Sequence, residues 1–338
     1  NPNLAAQYGY ARGFESYRET WEEPALATET DRAHAITEDG IAYLRAARPD
    51  QPFFLWLHYV NPHAPYTPPA PFDRAFLDGA ASGPILPAVS GFHAGVKKEW
   101  AVPGKRLGYY VSQYDGEIAA VDAEVGRVLD ALGSTPVAGK TAVVLTSDHG
   151  ESLGEHDYYF DHGEDLFDPC LAIPLIVTMP GTTGGRRSSE FASTLDLVPT
   201  VLDAVKVSYP PDLAGTSVLG AVTGGAGTGR ERLFAQNDRN LSATFDARYK
   251  LVDTPVDEGH TETALYDRQR DPGEMRDARA REPETFRVAR RELDLFLDRA
   301  RREWVRTRVL TQGKEGEKPA TIEGCDKLRA LGYVDSCP

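Results

Sequence analysis

The sequence predicts an α/β fold in which a mainly parallel sheet is flanked by helices, followed by a small C-terminal antiparallel sheet with its own helix. Three features predict it. Strongly apolar runs alternate with segments whose apolar residues recur at helical spacing, and after about residue 220 the chain changes to a Gly-rich connection with shorter strand candidates. We therefore predict a main domain over residues 1–220 and a smaller α+β subdomain over residues 221–338.

The strands of the main sheet are predicted from runs that are apolar at successive positions rather than at alternate ones. Such runs are typical of strands covered on both faces, as in a parallel sheet between helices. They are FFLWLHYV at 53–60, TAVVLTS at 141–147, PLIVTMP at 174–180 and RLFAQN at 232–237.

Helices are predicted where apolar side chains recur every three to four residues, at 29–46, 107–132 and 194–205. Beyond the Gly-rich connection, LSATFD and RYKLVDT are predicted as strands of the antiparallel sheet. The segment ETFRVARRELDLFLDRARREW is predicted as the helix that packs on that sheet. Its Arg- and Glu-rich face is typical of a solvated surface.

Composition indicates a globular protein and excludes one class of partner. Of the 338 residues, 41% are hydrophobic and 26% are charged. No apolar run approaches the ~20 residues that span a bilayer, so no membrane span is expected. A formal net charge of -14 leaves no dominant basic face for a nucleic acid. An anionic substrate would therefore need local positive charge, such as a metal ion.

Three cysteines form neither a disulfide framework nor a CxxC metal site. Cys325 and Cys337 would pair if the protein is exported, and would otherwise be two unpaired thiols. Cys170, in FDPCLAIP, is interpreted as a packed, small apolar side chain. The chain begins with Asn1 and has no charged-then-apolar leader, so we expect a processed chain or part of a longer product, whose compartment the sequence leaves open.

Candidate metal-binding and proton-transferring side chains are most concentrated in TSDHGESLGEHDYYFDHG, at 146–163. Asp148 and His149 stand where the preceding strand would end, and in open α/β sheets ligands bind beyond the carboxyl ends of the strands. Carboxylate and imidazole groups bind Ca²⁺, Mg²⁺, Mn²⁺ or Zn²⁺, and Gly150 lets the backbone turn beside an ion. By themselves the same residues also fit a polar turn in which Asp148 caps the next helix.

Further histidines extend this cluster. His63 follows the strand predicted at 53–60 and lies between prolines, which stiffen the loop and favour a functional role. His156 and His162 follow the strand-end pair in the same segment. We expect His63 and His162 to meet that pair at one edge of the sheet, around a point large enough for one ion and one tetrahedral anion.

Six motifs follow one another along the chain. They are PFFLWLHYVNPHAPYTPP, YDGEIAAVDAEVGRVLDAL, VVLTSDHGESLGEH, FDHGEDLFDPCLAIPLIV, STLDLVPTVLDAVKV and ALYDRQRDPGE. In this order they resemble the sulfatase family of the alkaline-phosphatase-like superfamily, over nearly the whole chain. The resemblance implies metal-dependent hydrolysis of a sulfuric ester on an alkaline-phosphatase-like fold that is incomplete at its N terminus.

The resemblance also implies roles for single residues. Asp148 and His149 match a pair of divalent-metal ligands, most often for Ca²⁺, with Mg²⁺ or Mn²⁺ as alternatives. His63 and His162 match positions that contact the sulfate group or protonate the leaving oxygen, which makes them the catalytic candidates. His156 belongs to the motif and either lines the substrate pocket or braces the loop. A sulfate ester gains negative charge on cleavage, so a cation and proton donors suit it.

Part of the family's machinery is absent from this sequence. The family's nucleophile is a formylglycine made from the Cys or Ser of a C/S-x-P-x-R motif, and a further Asp-Asp metal pair lies near the N terminus. Neither occurs here. We therefore expect that the N-terminal part of the fold lies outside this chain, that two ligands bind a metal weakly, and that the chain alone is inactive.

Three functions stay open at this point. The resemblance favours a sulfatase that acts on a sulfated small molecule or glycan. The alternatives are a phosphate or phosphonate ester hydrolase of the same superfamily, and a non-catalytic relative that binds a sulfated ligand. Sulfatases are often exported, so the resemblance allows a periplasmic or extracellular location, which the residues themselves do not decide.

Overall fold

The computed structural model describes residues 4–90, 95–182, 184–237, 239–257 and 259–311. Cys325 and Cys337, with their predicted pairing, lie outside these residues. The chain forms two compact units that divide between Lys140 and Thr141. The change in sequence character near residue 220 falls inside the second unit, and the domain boundary predicted there stays a prediction.

The first unit is built around two helices that pack on each other, α1 (Glu29–Ala46) and α2 (Leu107–Gly133). Helix α1 begins with a capping box, in which the Thr28 hydroxyl accepts from the Asp31 N–H and the Asp31 carboxylate accepts from the Thr28 N–H. Both helices were predicted from apolar spacing, and both are confirmed.

The strand predicted at 53–60 is not confirmed. This run has no strand partner among the described residues, although one side of it packs on α1. Leu57 lies so close to Gly40 that an added Cβ there would be 2.7 Å from the Leu57 side chain. The other side is more open, since Phe54 and Trp56 are 63% and 50% exposed. Apolarity predicts burial, but a strand also needs a hydrogen-bonded neighbour.

The second unit begins with β3 (Val143–Thr146), which pairs antiparallel with β6 (Leu175–Thr178). The predicted mainly parallel sheet is therefore not confirmed. Among the described residues, parallel pairing is confined to a two-residue ladder of the first unit, between β1 (Ala88–Val89) and β2 (Val96–Lys97). A continuous apolar run indicates that both faces of a strand are covered, but it carries no information on strand direction.

Short elements connect and follow these two strands. Strands β4 (Ser152–Leu153) and β5 (Tyr159–Asp161) form a small antiparallel pair, and α3 (Asp168–Leu171) precedes β6. After β6 come α4 (Leu197–Ala204), inside the predicted helix at 194–205, and the single-turn α5 (Leu219–Thr223).

The C-terminal part is a four-stranded antiparallel sheet with a long helix. The strand order is β10-β9-β8-β7. The elements are β7 (Leu233–Gln236), β8 (Ser242–Phe245), β9 (Tyr249–Asp257), β10 (His260–Asp267) and α6 (Pro283–Thr311). The predicted small antiparallel sheet and its helix are thereby confirmed. The run at 232–237, predicted with the strands of the main sheet, is instead β7, an edge strand of this antiparallel sheet.

Both faces of this sheet are covered. On one face, Leu251 of β9 packs against Leu293 of α6, and both are fully buried. On the other face, Val252 packs with Leu166, which belongs to the segment that follows β5. Adjacent residues of a strand point to opposite faces, so β9 connects the helix to that segment.

Within the described residues, each helix is too short or too polar to cross a bilayer.

We expect Leu293→Ala to lower the free energy of unfolding by about 2–5 kcal/mol, because it leaves a cavity between the sheet and α6. Leu295→Ala on the same helix is the matched control: Leu295 is 44% exposed, so its loss should stay within about 0.5 kcal/mol. Denaturant-induced unfolding measures both values. Equal losses would contradict the packing described above.

Candidate functional site

The turn after β3 places Asp148 and His149 at the carboxyl end of that strand, as predicted. The next residue, Gly150, donates its N–H to the Cys170 carbonyl of α3 at 2.8 Å. A Cβ at Gly150 would lie 2.0 Å from the Pro169 carbonyl oxygen, so glycine alone fits against α3 here. Backbone contacts thus hold this turn against α3.

The hydrogen bonds of His149 define which ring nitrogen carries the proton. His149 Nδ1 lies 2.7 Å from the Gly150 carbonyl oxygen, which can only accept, so Nδ1 is the protonated nitrogen. The lone pair of the neutral ring is then on Nε2, 3.7 Å from Asp148 Oδ2. The Asp148 side chain is 62% exposed, so its carboxylate is accessible from solvent.

Asp148 and His149 could hold a divalent cation. A separation of 3.7 Å is short enough for one ion to contact both atoms, since metal–ligand bonds to nitrogen and oxygen are about 2.0–2.6 Å long. A carboxylate and an imidazole lone pair are also suitable donors. Throughout the part of the chain that the structure describes, no group of three or more His, Cys, Asp or Glu side chains could hold a metal. The pair therefore offers two ligands.

His162, at the end of β5, lies directly beside His149. The two rings are stacked, with centroids 3.7 Å apart and planes inclined by 22°. His162 Nδ1 lies 3.2 Å from Glu151 Oε1, so the carboxylate accepts from Nδ1–H. The side chains of His162 and Glu151 are only 16% and 7% exposed.

The environment of His162 favours its protonated form. Burial by itself lowers the pKa of His162, but the hydrogen bond and negative charge of Glu151, together with the charges of Asp161 and Asp148, outweigh burial and raise the pKa above its ordinary value. A raised pKa keeps more of the ring protonated near neutral pH, which suits a proton donor.

Glu151 is a site residue that sequence reasoning missed. Its carboxylate reaches His162, eleven positions along the chain, because the β4–β5 pairing folds the segment back on itself. The available signal was a carboxylate inside a histidine-rich segment. That segment holds several carboxylates, and nothing in their spacing distinguishes the one that becomes buried.

His156 contacts an aromatic ring. Its imidazole lies flat on Phe167, with centroids 3.5 Å apart and planes inclined by 4°. Its backbone is left-handed, at φ 54°. The stacking agrees with the interpretation that His156 braces the loop, and its predicted part in substrate binding stays a prediction.

His63 belongs to the first unit, in a loop held by a buried carboxylate of α2. Its Nδ1 lies 2.6 Å from the Ala64 carbonyl oxygen, so Nδ1 carries the proton, as in His149. Glu117 accepts from Asn61 Nδ2 at 2.6 Å and from the Thr67 N–H at 2.9 Å. Asn61 precedes His63 and Thr67 follows it, so Glu117 holds the loop on both sides of the histidine. Burial raises the pKa of Glu117. That His63 joins the pair formed by His149 and His162 stays a prediction.

Cys170 does not have the surroundings of a nucleophile. It is 4% exposed, and burial raises the pKa of its thiol, which keeps the sulfur protonated. These observations agree with its interpretation as a packed apolar side chain.

The sequence profile of the family described as Sulfatase matches residues 3–207, which are 205 of the 338 residues. The chain belongs to the sulfatase family. A second profile, described as N-sulphoglucosamine sulphohydrolase, C-terminal, matches residues 154–301. The resemblance inferred from the order of the motifs is confirmed.

Individual sulfatases and a related hydrolase are similar to this sulfatase-family chain. The uncharacterized sulfatase YidJ of Escherichia coli is 31% identical over 256 residues, covering 72% of this chain and 50% of that protein. The Delta 4,5-hexuronate-2-O-sulfatase of Bacteroides thetaiotaomicron is 24% identical over 338 residues, covering 87% of this chain and 67% of that protein. The structure of the phosphonate monoester hydrolase of Agrobacterium radiobacter matches with a TM-score of 0.64 at 23% identity, covering 81% of this chain and 62% of that one.

The last match shows a shared fold. The chain spans 32–50% of the length of the first three curated relatives it matches.

We expect Glu151→Gln to lower the pKa of His162, because the amide removes the largest of the contributions that raise it. The ring would then be less protonated at pH 7. An NMR titration of the histidine rings in the presence of EDTA measures the change. Asp157→Asn removes an exposed carboxylate of the same loop and should leave the pKa of His162 unchanged. An unchanged pKa in Glu151→Gln would show that Glu151 does not hold the proton on His162.

Proposed function

We propose that this protein takes part in the hydrolysis of a sulfate ester, with Asp148 and His149 as ligands of a divalent cation and with His162 and His63 as proton donors. The stacked pair of His149 and His162 carries this proposal. One ring has its lone pair near a carboxylate, and the other is held as a donor by Glu151. Membership of the sulfatase family supports the same chemistry.

The residues suit the charges of this reaction. A sulfate ester carries negative charge on its non-bridging oxygens, and cleavage builds more on the leaving oxygen. A divalent cation, when bound, supplies positive charge for those oxygens. His162 is biased toward its protonated form and can give a proton to the leaving oxygen through Nε2, since Nδ1 is engaged by Glu151. His63 has Nδ1 engaged by the Ala64 carbonyl, so it would also act through Nε2.

The cation proposed is Ca²⁺, with Mg²⁺ or Mn²⁺ as alternatives. Ca²⁺ accepts six to eight oxygen ligands with flexible geometry and takes water readily, which suits the exposed carboxylate of Asp148. Two protein ligands give weak binding, so calcium affinity should be modest.

The nucleophile is not among the described residues. The sequence contains no C/S-x-P-x-R motif, and Cys170 is buried with a raised pKa. We propose that the chain alone does not turn over a sulfate ester, and that the reaction needs a formylglycine-type nucleophile from outside this sequence.

The proposed substrate is a sulfated small molecule or glycan. The relative named Delta 4,5-hexuronate-2-O-sulfatase supports a sulfated sugar. A phosphate or phosphonate ester is the second candidate, because the fold also matches a phosphonate monoester hydrolase and the same cation and proton donors suit both anions. The retained proton donors disfavour the third alternative, a protein that only binds a sulfated ligand.

Calcium should raise the midpoint of thermal unfolding of the wild-type chain, because an ion that binds only the folded state stabilises it. The shift should be strongly reduced in Asp148→Asn, which removes the ligand charge. The control is Asp157→Asn, which should keep the full shift. Asp157 has an exposed carboxylate and a left-handed backbone, at φ 58°. Equal shifts in all three proteins would place calcium elsewhere.

In the full gene product, His162→Ala and His63→Ala should each lower kcat for an aryl sulfate by roughly two to four orders of magnitude, because each removes a proton donor. The exposed His260→Ala is the control and should retain activity. Parallel assays with an aryl phosphate and an aryl phosphonate separate the candidates. A preference for either would overturn the choice of sulfate, and wild-type rates in both variants would refute the assigned roles.

A further inference from the structure

A buried group of charges lies behind the segment that carries the histidines. Lys250 of β9 is 0% exposed and Glu274 is 1% exposed. Lys250 Nζ donates to Asp168 Oδ1 at 2.5 Å and forms an ion pair with Glu274 Oε1 at 2.8 Å. Arg268 donates to the second oxygen of Asp168 from Nε at 3.0 Å and from Nη2 at 2.6 Å. Lysine and glutamate are almost never buried this completely unless they are paired.

Opposite charges keep Asp168 ionised. Burial alone would raise the pKa of Asp168, but the positive charges of Lys250 and Arg268 outweigh it and hold the pKa below its ordinary value. The ion pairs therefore persist near neutral pH.

Lys250 and Glu274 also bind the backbone of the segment that follows His162. Lys250 Nζ donates to the Leu166 carbonyl at 3.3 Å. Glu274 Oε2 accepts from the Asp168 N–H at 2.9 Å. Lys250 of β9 and Glu274, in the connection after β10, thus fix two points of this segment, one just before α3 and one at its first residue.

These fixed points lie close to both rings. His162 precedes Leu166 by four positions, and Asp168 is the first residue of α3. The next residues of α3, Pro169 and Cys170, are the ones that Gly150 packs against and bonds to, directly after His149. A shift of α3 would therefore move His149, and a shift of the Leu166 carbonyl would move His162.

The backbone at Glu274 indicates that its carboxylate is specifically required. Glu274 has φ 54°, in the left-handed region that glycine adopts at lower cost, and it follows Gly273. A fully buried glutamate in this conformation is expected where its side chain has a task that glycine cannot perform.

Two further contacts attach the beginning of the same segment to the C-terminal sheet. Asn237, after β7, donates from Nδ2 to the Gly163 carbonyl at 2.8 Å. Arg239 pairs with Glu164 at 2.5 Å. The residues that follow His162 are therefore held from both ends by one sheet.

We propose that Lys250, Asp168 and Glu274 form a positioning cluster that holds His149 and His162 at stacking distance. The proposal rests on the proposed function in that it takes these two rings as the reactive pair. None of the described contacts of the cluster reaches the imidazole ring of His149 or His162, so its members are positioning residues. The cluster joins α3 and the segment that follows His162 to one sheet. This attachment keeps the proposed metal ligand His149 and the proposed proton donor His162 at a fixed distance.

Hydrogen exchange of the wild-type chain in EDTA, followed by mass spectrometry, tests this proposal without substrate or metal. Lys250→Met and Asp168→Asn should each accelerate exchange in peptides within residues 148–171 by at least about tenfold, because local opening becomes easier. The matched control is Arg290→Met, which removes the cation paired with Asp253 on the α6 side of the same strand. It should accelerate exchange near β9 and α6 and leave residues 148–171 at the wild-type rate.

A second readout follows the rings themselves. Stacked imidazoles shift each other's ring-proton resonances. Comparison with His149→Ala gives the shift that the His149 ring causes in the ring-proton resonances of His162. This shift should decrease in Asp168→Asn and persist in Arg290→Met. Asp168 is 28% exposed, so Asp168→Asn is the milder substitution and tests the proposal even if Lys250→Met does not fold. Unchanged exchange and ring shifts in Asp168→Asn, or equal changes in the control, would overturn the proposal. Neither result depends on sulfate hydrolysis, so failure of the proposed function would be seen separately in the activity assays.

Discussion

The ion pairs of Lys250 are the constraint on which the geometry of the site depends. The Lys250 ammonium group, without solvent contact, lies between Asp168 and Glu274, and Lys250 and Glu274 also bind the backbone of the segment that follows His162. Removing one partner of a buried ion pair typically costs about 3–5 kcal/mol, because the remaining charge stays buried without compensation. This cost opposes any opening that would separate the segment from Lys250 and Glu274.

A second constraint selects the reactive nitrogen of each candidate histidine. In His63, His149 and His162 the Nδ1 proton is engaged by an acceptor, which leaves chemistry to Nε2. For His63 and His149 the acceptor is a neutral carbonyl, whereas for His162 it is the carboxylate of Glu151. The full negative charge raises the pKa of His162 despite burial. One side-chain type can therefore serve as ligand and as proton donor, depending on its acceptor.

Local regularities made much of the fold predictable. Apolar spacing identified α1 and α2, and short strand candidates after a Gly-rich connection identified the antiparallel C-terminal sheet. The Asp148 and His149 pair was found because strand ends carry ligands in this class of fold. Strand pairing was not predictable. An apolar run indicates that a segment is buried, but it does not indicate which strand lies beside it or in which direction. The antiparallel pairing of β3 with β6 and the lack of a strand partner for the run at 53–60, among the described residues, therefore came only from the structure.

The sequence by itself determined the residue types of the site, the family to which the chain belongs and the elements that local periodicity can encode. Only the tertiary structure decided that Glu151 faces His162, and that Lys250 reaches Asp168 across 82 positions of the chain. The reason is physical. Periodicity and capping act over a few neighbouring residues, whereas a buried ion pair joins side chains that become neighbours only when distant strands and loops have packed.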